Sequence, residues 1–431
     1  MVIWLIERSD RSAQAQCLQW FQARLASKQG RPDPVRWRIL PASRLWAECV
    51  QLVKNKEYPS QDYPALIEYP LIWQESLESL GLLARLGDVE NEHQRWRDLQ
   101  GRVYDSNFSL EAIQSYGGAL SFPWLVGLTT LFYRKDLLRA MEKTPEDLED
   151  YASWMAMIKN TSALGRYSGL EAGINFSLAL WWISSFNGSF LDHLNLMPAF
   201  HQAEAVKSLE AMLGALVPSE RNPAHLTQKS FALGLGPKRL NRFPEKSFCL
   251  LSTSMPTALR QNDPRVGLML TPKVTGSRVV IAEEHALGVV QGGLNRSGEA
   301  LLDLLENWLG EPGIWMEFAG RLGMLPACTT LWEPFFDSLP DPMIKEVYYA
   351  AVSHIRWIPK SRFLAPTIQI FEDSLTRLYL RALREASVDS VRIAAALSKA
   401  AAEYRLMVAL YGDQQKKPLD HQAAGPKEAV R

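Results

Sequence analysis

Short apolar runs alternate with amphipathic stretches over residues 2–86, and this alternation leaves the chain few architectures. Val2-Ile3-Trp4-Leu5-Ile6 reads as a buried strand. Residues 12–27 carry Leu18, Phe21 and Leu25 at helical spacing, and Gly30-Arg31-Pro32-Asp33-Pro34 breaks that helix. Residues 35–40 form a second strand candidate, 46–54 a helix and 64–69 a third strand. Pro70 leads into a helix carrying Trp73, Leu77 and Leu80, which Gly81 stops. This order predicts βαβ units on a largely parallel sheet.

The pattern continues through 431 residues, too many for one ordinary core, so two domains are expected. An apolar run at 120–133 is broken by Pro123 and Gly127, and a short helix follows at 135–141. Thr144-Pro145-Glu146-Asp147 has a cap residue, a first-turn proline and early acids, and predicts a helix start. Residues 176–186 are aromatic and apolar and end at Asn187-Gly188; 202–216 read as an amphipathic helix. Strands are expected at 248–252, 266–270, 279–281 and 286–290, and a helix at 298–309. From 340 the pattern is helical, with Ser387 expected to cap a last helix in which Ile393, Leu397, Ala400, Tyr404 and Met407 recur at three or four. The polar segment 412–431 is expected to be a frayed, disordered tail.

Lys+Arg and Asp+Glu both number 47, a balance without the basic field of a nucleic-acid binder. Cys17, Cys49, Cys249 and Cys328 are far apart and form no metal-ligand cluster; buried thiols are the better reading of Cys17 and Cys249. No metal or cofactor is expected. Gly234-Leu235-Gly236-Pro237-Lys238-Arg239 lacks the G-K-[ST] ending of a phosphate loop and reads as a surface loop. Val2–Ile6 is too short for the apolar core of a secretory signal and has no basic leader, so no export signal is read here. Fourteen tryptophans suit either core packing or a cleft that grips flat apolar faces.

Several segments, in order, resemble the family-1 extracellular solute-binding proteins, the group that includes maltose-type binding proteins. Phe122-Pro123-Trp124-Leu125-Val126 with Leu131-Phe132-Tyr133-Arg134-Lys135-Asp136-Leu137 resembles that family's "P-W … L-Y-Y-x-K-D-L" crossing between lobes. Ala65-Leu66-Ile67-Glu68, then Leu80-Gly81-Leu82-Leu83-Ala84-Arg85-Leu86, resembles its third strand and "GLL-x-x-L" helix end. Gly323-Met324-Leu325-Pro326-Ala327 resembles its "G-x-x-P" turn. Three positions depart from the family pattern. Gly127 replaces an aspartate, Ser252-Thr253-Ser254-Met255 replaces the "S-G-x-W" turn, and Glu283-Glu284 replaces a glycine pair.

The resemblance implies an α/β, two-lobed, type II periplasmic-binding-protein-like fold with a ligand cleft between lobes and a helical C-terminal part. The lobes implied are 1–121 with 278–325, and 122–277 with 326–411. It implies a bacterial, monomeric, non-enzymatic sugar carrier that closes on its ligand by a hinge and delivers it to an ABC permease. Its location would be periplasmic or extracytoplasmic, with a cytoplasmic one left open by the missing leader. Two readings compete: a carbohydrate-active enzyme, and an unexported sensor or binding module.

Ligands of open α/β sheets sit outside the carboxyl ends of the strands. Trp4, Glu68 and Tyr69 lie at such ends, and Trp124 lies beside the first crossing. Trp182 and Asn187 lie where the resemblance puts the second lobe's cleft helix. The alternatives are a core tryptophan at 4, a solvated acid at 68, a buried hinge residue at 124, core packing at 182 and a helix-ending turn at 187. Glu283 and Glu284 complete the candidate ligand contacts. Neighbours on a strand face opposite ways, so the two cannot flank one glycosidic bond.

Overall fold

The computed structural model describes residues 1–411 apart from 9, 30–34, 56–57, 60, 90–91, 105–117, 164–166, 193–195, 218–242, 340 and 357–360. The break at 30–34, the loop at 234–239 and the tail at 412–431 lie outside the described residues. Eleven strands are described: β1 (Val2–Ile6), β2 (Arg36–Leu40), β3 (Leu66–Pro70), β4 (Ser121–Leu128), β5 (Thr130–Arg134), β6 (Ser168–Ala172), β7 (Ser247–Ser252), β8 (Val266–Met269), β9 (Val280–Val289), β10 (Leu325–Pro326) and β11 (Ile355–Arg356). They form two sheets, ordered β10-β4-β9-β3-β1-β2 with β11 joined to β9, and β6-β7-β5-β8.

The first sheet starts as predicted. All five residues of β1 are buried, and β1 pairs in parallel with β2 and β3. The helix Arg11–Gln29 turns Cys17, Leu18, Phe21 and Leu25 onto this sheet. Asp10 caps it, taking the Ala13 N–H at 2.9 Å. Gln14 stitches the helix to the end of β1, donating to the Ile6 carbonyl at 2.8 Å and accepting from the Arg8 N–H at 3.0 Å. These bonds fix the course of the chain just past the strand.

Beyond β3 the sheet is mixed, not largely parallel. β9 runs back from the second sheet and inserts antiparallel between β3 and β4. The strands expected at 279–281 and 286–290 are one ten-residue strand. Glu283, Glu284 and His285 interrupt the apolar pattern but not the backbone pairing, because His285 is buried and the two acids are half-buried at the lobe junction. Residues 122–128 pair with β9 in the first sheet and β5 begins the second, so the chain passes between sheets at Thr129.

Two helix starts also differ. Thr144 and Asp147 form a capping box on one 3-10 turn, Pro145–Leu148, and the α-helix runs only from Tyr151 to Ala163. The last helix spans Ser390–Tyr411. Asp389, not Ser387, caps it, accepting from Val391 N–H at 3.0 Å; a carboxylate meets the helix dipole better than a hydroxyl. Ile393, Leu397, Ala400 and Tyr404 are buried on one face, as the spacing predicts.

All four cysteines are free and buried. Burial pushes the Cys17 and Cys49 thiols up to about 12. None of the described helices is long and apolar enough to cross a membrane.

Candidate functional site

The C-terminal ends of β1 and β3 meet the middle of β9 at a cluster of charged side chains. Glu68, with 1% of its side chain exposed, accepts the Ile6 N–H at 2.9 Å and forms an ion pair with Arg8. His285, equally buried, places Nδ1 3.4 Å from Glu68 and Nε2 3.3 Å from Glu283. Arg8 Nη1 lies 3.2 Å from the same Nε2. A ring nitrogen donates or accepts but not both, so Nε2 can donate to Glu283 or accept from Arg8, according to the tautomer. Strand geometry explains the grouping: Glu283 and His285 share one face of β9, and Glu284 points to the other.

The second lobe closes this cluster through the turn after β7. Thr253 donates its hydroxyl to Glu283 at 2.7 Å. Burial pushes the Glu283 carboxyl up, but bonds from His285 and Thr253 and the charge of Arg8 outweigh it and hold the group at about 2. Met255 N–H bonds the Gly323 carbonyl at 2.7 Å, and Thr257 donates to Asp10 at 2.8 Å. Arg260 reaches the carbonyls of Gly320 and Arg321. A Cβ on Gly127 would lie 2.3 Å from the Thr253 carbonyl oxygen. The aspartate of the resembling family has no room there; glycine lets the turn dock on β4.

Glu372, on the helix Leu364–Glu385, is a member of this region that no sequence pattern had singled out. It accepts the Phe176 N–H at 2.7 Å, at the first turn of the helix Phe176–Ser185. Burial pushes its carboxyl up to about 7; the Phe176 bond opposes this and the charge of Glu283 adds to it. The folded value lies above the ordinary 4.5, so the unfolded chain loses a proton that the folded chain keeps. That contribution to stability is complete below about pH 4.5 and is lost as pH rises through about 7. Glu372→Gln keeps an acceptor for Phe176 and removes the titration. Urea unfolding should find it equal to the parent near pH 4.5 and about 1–3 kcal/mol more stable above pH 7.

The nominated aromatics lie in the cores. Trp124 is the extra residue of a β-bulge, between the pairs Pro123–Ala286 and Leu125–His285. Its ring packs edge-on against Trp308 at 5.1 Å and Phe318 at 5.7 Å, and its carbonyl accepts from Trp315 Nε1 and, at 3.1 Å, from Ala327 N–H. Trp182 is fully buried against Trp181, Trp154, Tyr151 and Phe186. Trp4 is fully buried under the Arg38 guanidinium, 4.9 Å from its ring. Tyr69 is buried, with its hydroxyl bonded to Gln74 at 3.0 Å and Ser121 at 2.6 Å. Asn187 is exposed at φ +61° and ends the helix Phe176–Ser185, with Gly188 N–H returning to the Ile183 carbonyl at 2.8 Å. The structure therefore brings together Glu68 and Glu283. It adds Arg8, His285, Thr253 and Glu372, and places Trp4, Tyr69, Trp124 and Trp182 behind them as packing. Arg8 carries one sequence signal, a charge two residues past the end of an apolar strand; Thr253 and Glu372 carry none.

Two sheets with chain crossings between them, and polar side chains gathered where the first sheet's strands end, define the type II periplasmic-binding-protein-like fold. No family model matches the sequence, and no curated protein matches it. Solved structures do. An ABC transporter solute-binding protein from Agrobacterium radiobacter K84, in complex with ribitol, superimposes with TM-score 0.70 at 16% identity, over 94% of this chain and 98% of that one. The Thermus thermophilus maltotriose-binding protein, bound with maltotriose, gives 0.66 at 14% identity over 95% and 100%. The maltose/maltodextrin-binding domain from Bdellovibrio bacteriovorus, bound to maltotriose, gives 0.68 at 16% over 95% and 99%.

Proposed function

We propose that this chain is the solute-binding component of an ABC importer and captures a neutral, hydroxyl-rich solute, a sugar or polyol, between its lobes. The observation that carries this reading is the cluster of Arg8, Glu68, Glu283 and His285 at the strand ends of the first sheet, met by Thr253 from the second. Charged donors and acceptors in a sheltered junction strengthen bonds to hydroxyls, which offer both a proton and a lone pair. The fold likeness to proteins crystallised with ribitol and maltotriose supports the same class of ligand.

Of the candidates read from the sequence we take Glu283 as the direct ligand contact, because it keeps exposed surface within the cluster; Glu284 faces the other side of β9, Asn187 ends its helix, and Trp4, Glu68, Tyr69, Trp124 and Trp182 are buried packing or support. We take one lobe to be residues 1–128 with 280–325, and the other to be 130–277 with 326–411. The sheet memberships of β4, β5 and β9 support these limits. The protein works outside the cytoplasmic membrane as a monomer, without chemistry on its cargo, and hands the ligand to a permease.

The test is a thermal-shift screen against monosaccharides, malto-oligosaccharides, polyols and amino acids, followed by solution scattering. A bound ligand raises apparent stability by mass action, and hinge closure reduces the radius of gyration. Sugars or polyols should do both. Stabilisation by amino acids alone, or tight binding with an unchanged scattering profile, would overturn the proposal.

A further inference from the structure

An open cavity lies away from the cluster, at the seam where the chain returns from the second sheet to the first. Its volume is about 650 Å³. Its walls come from two segments and from Glu149. The stretch 273–278 leads into β9, and 353–356 includes β11, which pairs with the start of β9 through Val280–Ile355 and Ile281–Arg356.

The lining is cationic. Lys273, Arg278 and Arg356 face the cavity with His354, against one carboxylate, Glu149. Arg278 has only 8% of its side chain exposed and is held firmly, with Nη2 2.8 Å from Glu149 and Nη1 donating to the Thr271 carbonyl at 2.8 Å. Lys273 reaches the same Glu149 oxygen at 3.3 Å. One carboxylate thus serves two cations, and Arg356 makes no ion pair with any described residue. Burial and the charges of Arg278 and Lys273 also push His354 below its ordinary value, as an excess of positive charge should.

Structure rarely gathers like charges around an open cavity for stability alone, because their repulsion opposes folding. Guanidinium groups match the oxygens of phosphate in a fixed, two-pronged geometry, and lysine adds a point charge. We propose that this cavity binds a small, soluble, multivalent oxyanion of the phosphate class. Such an anion bridges Lys273 and Arg278, on the segment leading into β9, to Arg356 on β11, and so adds to the backbone pairing that already joins β11 to the start of β9.

The experiment is calorimetric titration of the full chain with inorganic phosphate, without sugar and at ionic strength held constant with sodium chloride. Saturable binding at one site per chain is expected. Lys273→Ala and Arg356→Ala should each weaken it about tenfold while leaving the unfolding transition cooperative. Arg356 has no described partner to lose, so a loss of binding in that variant reports on the site and not on folding. Sugar affinity, measured separately, distinguishes failure of this site from failure of the proposed transport role. No heat beyond the chloride control, or phosphate affinity unchanged from the parent in both variants, would overturn the assignment. So would binding to phosphatidic acid vesicles with no response to free phosphate.

Discussion

Trp124→Ala is expected to lower the unfolding free energy by about 3–5 kcal/mol, the range for removing a buried large aromatic. The ring is 1% exposed and contacts Trp308 and Phe318. Those neighbours come from the helices Gln291–Leu309 and Pro312–Leu322, which cannot collapse into the gap without leaving the sheet. Trp124→Phe keeps most of the volume and the aromatic edges, and should cost less. Urea denaturation reads both values. A near-parental midpoint for the alanine variant would show that the ring is not in the core.

Glu68→Ala should destabilise by about 3 kcal/mol, because removing one partner of a buried pair strands the other. Arg8 and His285 lose their carboxylate, and the Ile6 N–H loses its acceptor. Glu68→Gln restores a neutral acceptor for Ile6 but not the charge, and should recover part of the loss. Arg8 keeps 11% of its side chain exposed, so water relieves some of the penalty and keeps the expected cost at the lower end. Equal stability of parent and alanine variant in urea would show that the cluster contributes no net stabilisation. If Glu68 instead touched the ligand directly, Glu68→Gln would reduce affinity more than stability.

The charged middle of β9 shows where pattern reading stops. Period-2 alternation identifies a strand when one face is apolar along its whole length. In β9 that face changes character at Glu283 and His285, so a single strand reads as two. The same limit applied to the aromatics. A tryptophan at a strand end fits a cleft and a core equally well by composition. The bulge at Trp124 turned that ring toward Trp308, and a bulge has no local signature in Phe122-Pro123-Trp124-Leu125. Glu372 illustrates the other loss. It is more than 190 residues from Phe176, and only packing brings its carboxyl to that N–H.

What could be read from residue order alone was whatever depends on near neighbours. That covers the strand–helix alternation of residues 2–86, the buried face of the last helix, the buried thiols of Cys17 and Cys249, and the motif order that pointed to two lobes. Three-dimensional packing settled whatever depends on distant partners: β9 entering between β3 and β4, Trp124 turning into the core, and Glu283 joining Glu68, Arg8 and Thr253. Side-chain periodicity is a property of a few consecutive residues, whereas strand neighbours and ion-pair partners are chosen by long-range burial and hydrogen bonding.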